Sequence, residues 1–199
     1  MSDERGDVEP STQLVDPFDV FAAEDPELAQ RLRRLILKHD RERAARTTDD
    51  HGDPFPRLDL DDPPATPDDP LLNVGYALLA VLPDGWEAAL LTAAAAADEV
   101  RTMVVVRMPG DATFRQRLLY LPTVAEACSA LRRSVYDAAG RAWYGLILRL
   151  ERSGVMHASY EFDEPPFLQW GPREVDLVRR DQELYPRDPA QLPGWHPAR

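Results

Sequence analysis

The sequence predicts an α+β protein, an antiparallel sheet covered by helices, behind an acidic and partly disordered N-terminal region. Three observations carry this expectation. Alternating apolar runs meet at a short turn, Ser153-Gly154, as a hairpin requires. Helical periodicity recurs at about 71–82, 123–139 and 172–184. The resulting order, α(β)ββαββα, lacks the strict strand–helix alternation of a parallel sheet.

Residues 1–23 are polar and acidic with few large apolar groups, a composition that favours disorder. A helix over about 25–46 is expected next. Asp25 caps it, Pro26 suits its first position, and Leu28, Leu32, Leu35 and Ile36 form a narrow apolar stripe. From Thr47 to Asp69, five prolines and eight aspartates read as a linker or extended arm, so the domain boundary is placed near Asp69. This divides the chain into an acidic region, 1–69, and an α+β domain, 70–199.

The domain opens with a helix capped by Asp69, with Pro70 at its first position. It runs through Leu71–Leu82 and is apolar nearly all round, hence expected to be buried. Pro83-Asp84-Gly85 turns the chain. Trp86–Thr92 reads as a strand weakened by its alanines, Arg101–Met108 as a better one, and Phe114–Leu121 as a third. Thr123 and Glu126 have the spacing of a capping box for a helix with Val124, Ala127, Cys128, Leu131 and Val135 on one face, stopped at Ala139-Gly140. The hairpin Ala142–Glu151 and Val155–Phe162 follows, then a helix from about Pro172 to Leu184.

Charge is uneven. Residues 1–70 hold 19 Asp/Glu against 9 Lys/Arg, net −10, while residues 71–199 hold 16 against 14, net −2, together the −12 of the whole chain. Such an excess argues against direct nucleic-acid binding, which needs clustered cations, and suits either a basic protein partner or simple solubility. A single cysteine, Cys128, excludes an internal disulfide; on an apolar helix face it reads as a small buried hydrophobe rather than a nucleophile. No signal-peptide pattern opens the sequence. The longest apolar run, Tyr76–Leu82, is far short of the roughly 20 residues a membrane helix needs, so a cytoplasmic protein is expected.

In the strand after Gly154, alternation puts His157, Ser159, Glu161 and Asp163 on one face, and Met156, Ala158, Tyr160 and Phe162 on the other. His157 with Glu161 and Asp163 would suit a divalent metal or acid–base work. The same alternation also describes a solvent face opposite a core face, and no second ligand cluster stands elsewhere, so no metal and no cofactor are expected. Glu161, Asp163 and Glu164, followed by Pro165-Pro166, read first as a solvated strand end and, as the alternative, as an acidic lip for a basic partner. Trp143, Tyr144, Trp170 and Trp195 are of types enriched at interfaces and also common in cores; Trp195 is placed to pin a proline-rich tail. No phosphate loop, Cys-x-x-Cys, Gly-x-Ser-x-Gly or His-Glu-x-x-His is present.

Several of these features occur together: an apolar helix ending at Leu82-Pro83 with Trp86 soon after, the Trp143 strand, Tyr160-Glu161-Phe162-Asp163 with Pro165 and Pro166, and a closing helix with Asp181-Gln182-Glu183-Leu184-Tyr185-Pro186-Arg187. In this, residues 70–195 resemble the YezG-type immunity proteins, the antitoxins of bacterial polymorphic toxin systems. The resemblance implies a small α+β protein that binds a cognate protein toxin, often a nuclease, and blocks it without catalysis. The long acidic N-terminal region departs from that pattern. The expected partner surface, read from this sequence's own residues, comprises Glu161, Asp163, Glu164 and Trp170. Two rival readings remain: an adaptor or secretion chaperone working through the helix at 25–46, and a metal-dependent hydrolase using His157, Glu161 and Asp163.

Overall fold

The computed structural model describes residues 55–64, 67–111, 116–118, 121–167 and 169–199, with four isolated positions, Gln30, Arg34, Leu37 and Arg41, that are helical and exposed. The rest of the helix expected over 25–46, and the disorder expected over 1–23, lie outside the described residues. The architecture is α+β. Helix α1 spans Pro70–Leu79, strands β1 Ala88–Ala96, β2 Glu99–Arg107 and β3 Gln116–Leu118, helix α2 Pro122–Ala139, strands β4 Gly145–Glu151 and β5 Met156–Glu161, and helix α3 Pro172–Leu184, followed by a 3₁₀ turn at Pro189–Gln191. The sheet is antiparallel and five-stranded, in the order β3-β2-β1-β4-β5.

Its inner face carries the core. Alternate residues Ala89, Leu91, Ala93 and Ala95 of β1 align with Val104 and Val106 of β2, Leu146, Leu148 and Leu150 of β4, and Met156 of β5. Helices α1 and α2 close over them through Val74, Leu78, Val124, Ala127, Cys128 and Leu131. The Asp69 carboxylate accepts from the Leu71 N–H at 2.7 Å, the expected cap. Only one stripe of α1 is fully buried, Val74, Gly75 and Leu78; its other apolar residues are half-buried. Burial pushes the Cys128 thiol up to about 12, so near neutrality it stays protonated and packs as an apolar group.

Helix α3 lies on the outer face. Its Val178 packs with Phe167 and Ala96, and Ala94, Leu177 and Trp195 join them at that end of β1.

The structure corrects several expectations. The run Ala93–Ala96 continues β1, and Ala97-Asp98 turn directly into β2. Ala97 has φ +53°, a left-handed conformation that costs an alanine roughly 1–2 kcal/mol. The Thr123–Glu126 capping box does not form. Pro122 takes the first helical position with Leu121 as N-cap, so Thr123 falls inside the first turn and its hydroxyl cannot cap. The helix ends as expected at Gly140, with φ +68°.

The linker assigned to 47–69 is also part of the packed unit in its second half. The Leu58 N–H donates to the Gly154 carbonyl (2.9 Å) and the Met156 N–H to the Pro56 carbonyl (2.8 Å). Leu58 is buried in the inner core. The strap Pro56–Leu58 therefore pairs with the start of β5, an edge strand whose amides would otherwise be open. The boundary expected near Asp69 falls within this unit.

Candidate partner-binding surface

The expected surface lies where β5 leaves the sheet and meets the tail that follows α3. The structure separates its four residues. Glu161 is buried, and its Oε1 accepts from the Asp163 N–H at 3.0 Å. It braces the bend after β5 and does not belong to an exposed lip. The expected solvent face of β5 is also enclosed at His157, which packs edge-on against the Phe55 ring at 4.3 Å and places Nε2 3.7 Å from Glu151 Oε1. The sequence alternation was sound, but both faces of this strand are covered. Asp163, Glu164 and Trp170 are exposed.

Trp195 ties Asp163 to Trp170. Its indole N–H donates to the Asp163 carbonyl at 2.6 Å, and its ring lies 5.5 Å from that of Trp170. On its other side, Trp195 meets the Tyr144 ring edge-on at 5.1 Å. The Arg187 guanidinium sits 4.3 Å over Tyr144, donates to the Phe162 carbonyl at 2.9 Å, and also donates to the Ala142 carbonyl. Arg187, Tyr144, Trp195 and Trp170 thus form a ladder from the buried end of the hairpin to the surface. Trp170 is its outermost member, 40 % exposed. Each aromatic contact contributes about 0.5–1.5 kcal/mol beyond area burial. Burial pushes the Tyr144 hydroxyl up to about 12 and lowers the Arg187 pKa below its ordinary value.

A second polar network holds the ladder's base. Arg132 of α2 and Asp181 of α3 are each 1 % exposed. The Arg132 guanidinium meets the Asp181 carboxylate at 2.8 and 3.0 Å and donates from Nε to the Trp143 carbonyl at 2.7 Å. Asp181 also accepts from the Ala97 N–H at 2.5 Å, and Tyr185 stacks under Arg132 at 4.6 Å. Gln182 clasps the Arg187 backbone in both directions, at 2.7 and 3.3 Å. The Asp181–Arg187 stretch is therefore a structural clasp fastening α3 and the tail to the sheet.

Arg132, Asp181 and Arg187 escaped sequence reasoning as buried charges. One signal was present: Arg132 sits four residues after Cys128 and three before Val135, on the apolar stripe of α2.

The arrangement can recognise a partner: an exposed indole for apolar contact, two exposed acidic residues on the bend that Trp195 holds, and an aromatic support beneath. The trio His157, Glu161 and Asp163 is not gathered for metal chemistry. His157 and Glu161 are four residues apart on one strand, roughly 13 Å by the strand's rise, whereas metal ligands converge to about 2 Å. Among the described residues, no group of three His, Cys, Asp or Glu is placed to hold a metal, and no helix is long and apolar enough to cross a membrane. A comparison with protein-family models gives no match, and a comparison with curated proteins gives none either.

Proposed function

We propose that this protein is a non-catalytic, cytoplasmic immunity protein that binds and neutralises a cognate protein toxin. One observation carries the reading: Trp170 is exposed at the top of the aromatic ladder, and Trp195 joins it to the bend that carries the exposed Asp163 and Glu164. Tryptophan concentrates binding energy at interfaces, and a rigid support lowers the ordering cost of engaging it. The net charge of −12 favours encounter with a basic partner such as a nuclease with a cationic nucleic-acid groove. The resemblance to YezG-type immunity proteins points the same way. Glu161 acts behind this surface by fixing the bend that presents Asp163.

The test is affinity capture of the tagged full chain from its native host, followed by mass spectrometry and a growth-rescue assay with the captured toxin. A stoichiometric basic partner is expected, lost from the triple variant Asp163→Lys, Glu164→Lys, Trp170→Ala while the fold is retained. A partner held undiminished by that variant would rule out this surface. Recovery of secretion components in its place would replace immunity with the chaperone reading.

A further inference from the structure

The outer face of the sheet holds apolar residues that no described element covers. The cross-strand register sets Val105, Leu90, Arg149 and His157 in one row across β2, β1, β4 and β5, with Met103, Thr92, Ile147 and Ser159 in the next. Helix α3 and Phe167 pack further along, at Ala94 and Ala96. Yet Leu90, Val105 and Ile147 are only 4, 5 and 5 % exposed, as enclosed as the inner core, while belonging to neither described apolar cluster. Something must lie on them.

Two observations identify it. Phe55 packs its ring on His157 at the end of the first row, so the strap begins at this face. Far upstream, Gln30, Arg34, Leu37 and Arg41 are helical and exposed, and their spacing of four, three and four residues is one side of a helix. On that same period, Leu28, Leu32, Leu35 and Ile36 fall on the opposite side. The dimensions agree. A helix rises about 12 Å over the eight steps from Leu28 to Ile36, and four neighbouring strands span about 14 Å. Beyond the helical Arg41, the 13 residues of 42–54 can reach up to roughly 45 Å, ample to connect the two.

We propose that the outer sheet face around Leu90, Val105 and Ile147 is the docking surface for this chain's own Leu28–Ile36 segment. The segment is an intramolecular cover that completes a second apolar layer, and the acidic N-terminal region is tethered to the domain by it. The inference depends on nothing in the immunity reading. It makes the apolar stripe of the 25–46 helix unavailable as a free adaptor arm.

Methyl-labelled full-length protein tests it by NMR at a concentration where light scattering reports a monomer. Nuclear Overhauser contacts are expected between Leu28, Leu32, Leu35 or Ile36 and Leu90, Val105 or Ile147. The full-length variant Leu32→Asp, Leu35→Asp should shift the methyl signals of Leu90, Val105 and Ile147, and leave those of Leu148 and Val104, on the inner face, in place. Absence of these contacts together with unmoved outer-face signals in the variant would overturn the proposal. Contacts seen only between differently labelled copies in a mixed sample would overturn it in favour of a second copy as occupant.

Discussion

Replacing Asp181 with alanine should be the most damaging single change to the clasp. The substitution removes a carboxylate that is 1 % exposed and leaves the Arg132 guanidinium buried with its carbonyl partners alone. Breaking a buried ion pair by removing one partner costs about 3–5 kcal/mol, because the remaining charge stays desolvated. With an unfolding entropy of about 2.1 cal/mol/K per residue over roughly 140 residues, that loss lowers Tm by about 10–17 °C. The double variant Arg132→Met, Asp181→Leu removes both charges and keeps the volume, so most of the stability should return. A shortfall of about 1–3 kcal/mol should remain, since the Ala97 N–H that Asp181 caps is left without its acceptor. Urea and thermal denaturation followed by circular dichroism give both numbers. A loss below 1 kcal/mol for Asp181→Ala, or a double variant no better than the single, would mean the pair is not the fastening described here.

Three further outcomes are expected. Gly154→Ala combines a φ of +83° with a Cβ that would meet the Leu58 carbonyl oxygen at 2.6 Å, whereas Gly110→Ala shares the backbone penalty at φ +84° with open space around it. Gly154→Ala should therefore destabilise clearly more than the roughly 1–2 kcal/mol of Gly110→Ala, and equal Tm shifts would place the Pro56–Leu58 strap away from the hairpin. Trp195→Ala, which loses three ring contacts and an indole hydrogen bond, should cost about 2–4 kcal/mol in denaturant unfolding. Burial, and next the charge of Arg187, hold the His196 pKa below its usual 6.5. A lowered folded pKa means the unfolded chain takes up the proton first, so stability is full above pH 6.5 and declines as pH falls from there towards the folded value. His196→Gln should flatten that decline in urea titrations between pH 7.5 and 5, and an unchanged slope would exclude His196 as its source.

Legibility followed the strength of local signals. Helix α3 lies where Pro172 and the 3.6-residue period placed it, and Asp69 caps α1, because each signal acts within one turn. The Ser153-Gly154 turn and the inner-face set of β5 were equally plain, since alternation and a left-handed glycine are local properties. Ala93–Ala96 was opaque because alanine favours no strand; pairing with β2 along the whole run, and with β4 at Ala93 and Ala94, overrides that. At Thr123, the preceding proline claimed the helix start.

The candidate surface was half legible. Asp163, Glu164 and Trp170 are exposed as their chemistry suggests, and Trp195 pins the tail. His157 is enclosed by Phe55 of the strap and Glu151 of β4, contacts that leave no periodic trace, and Glu161 turns its carboxylate onto the Asp163 N–H in the bend that follows β5. Arg132, Asp181 and Arg187 find their partners across long stretches of chain, so only the fold reveals them.

The hydrogen bond from the Ala97 amide to Asp181 joins residues 84 apart in the chain. A ribosome adding about 5–20 residues per second takes roughly 4–17 s to cross that gap. Throughout that interval the β1–β2 hairpin exists with its left-handed corner unanchored and the outer end of β1, at Ala94 and Ala96, still waiting for Phe167 and Val178. The nascent chain thus carries an exposed, alanine-rich strand for seconds before its partners emerge. Holdase chaperones have that window in which to act, and slow synonymous codons between Asp98 and Asp181 would lengthen it and lower the yield of folded protein.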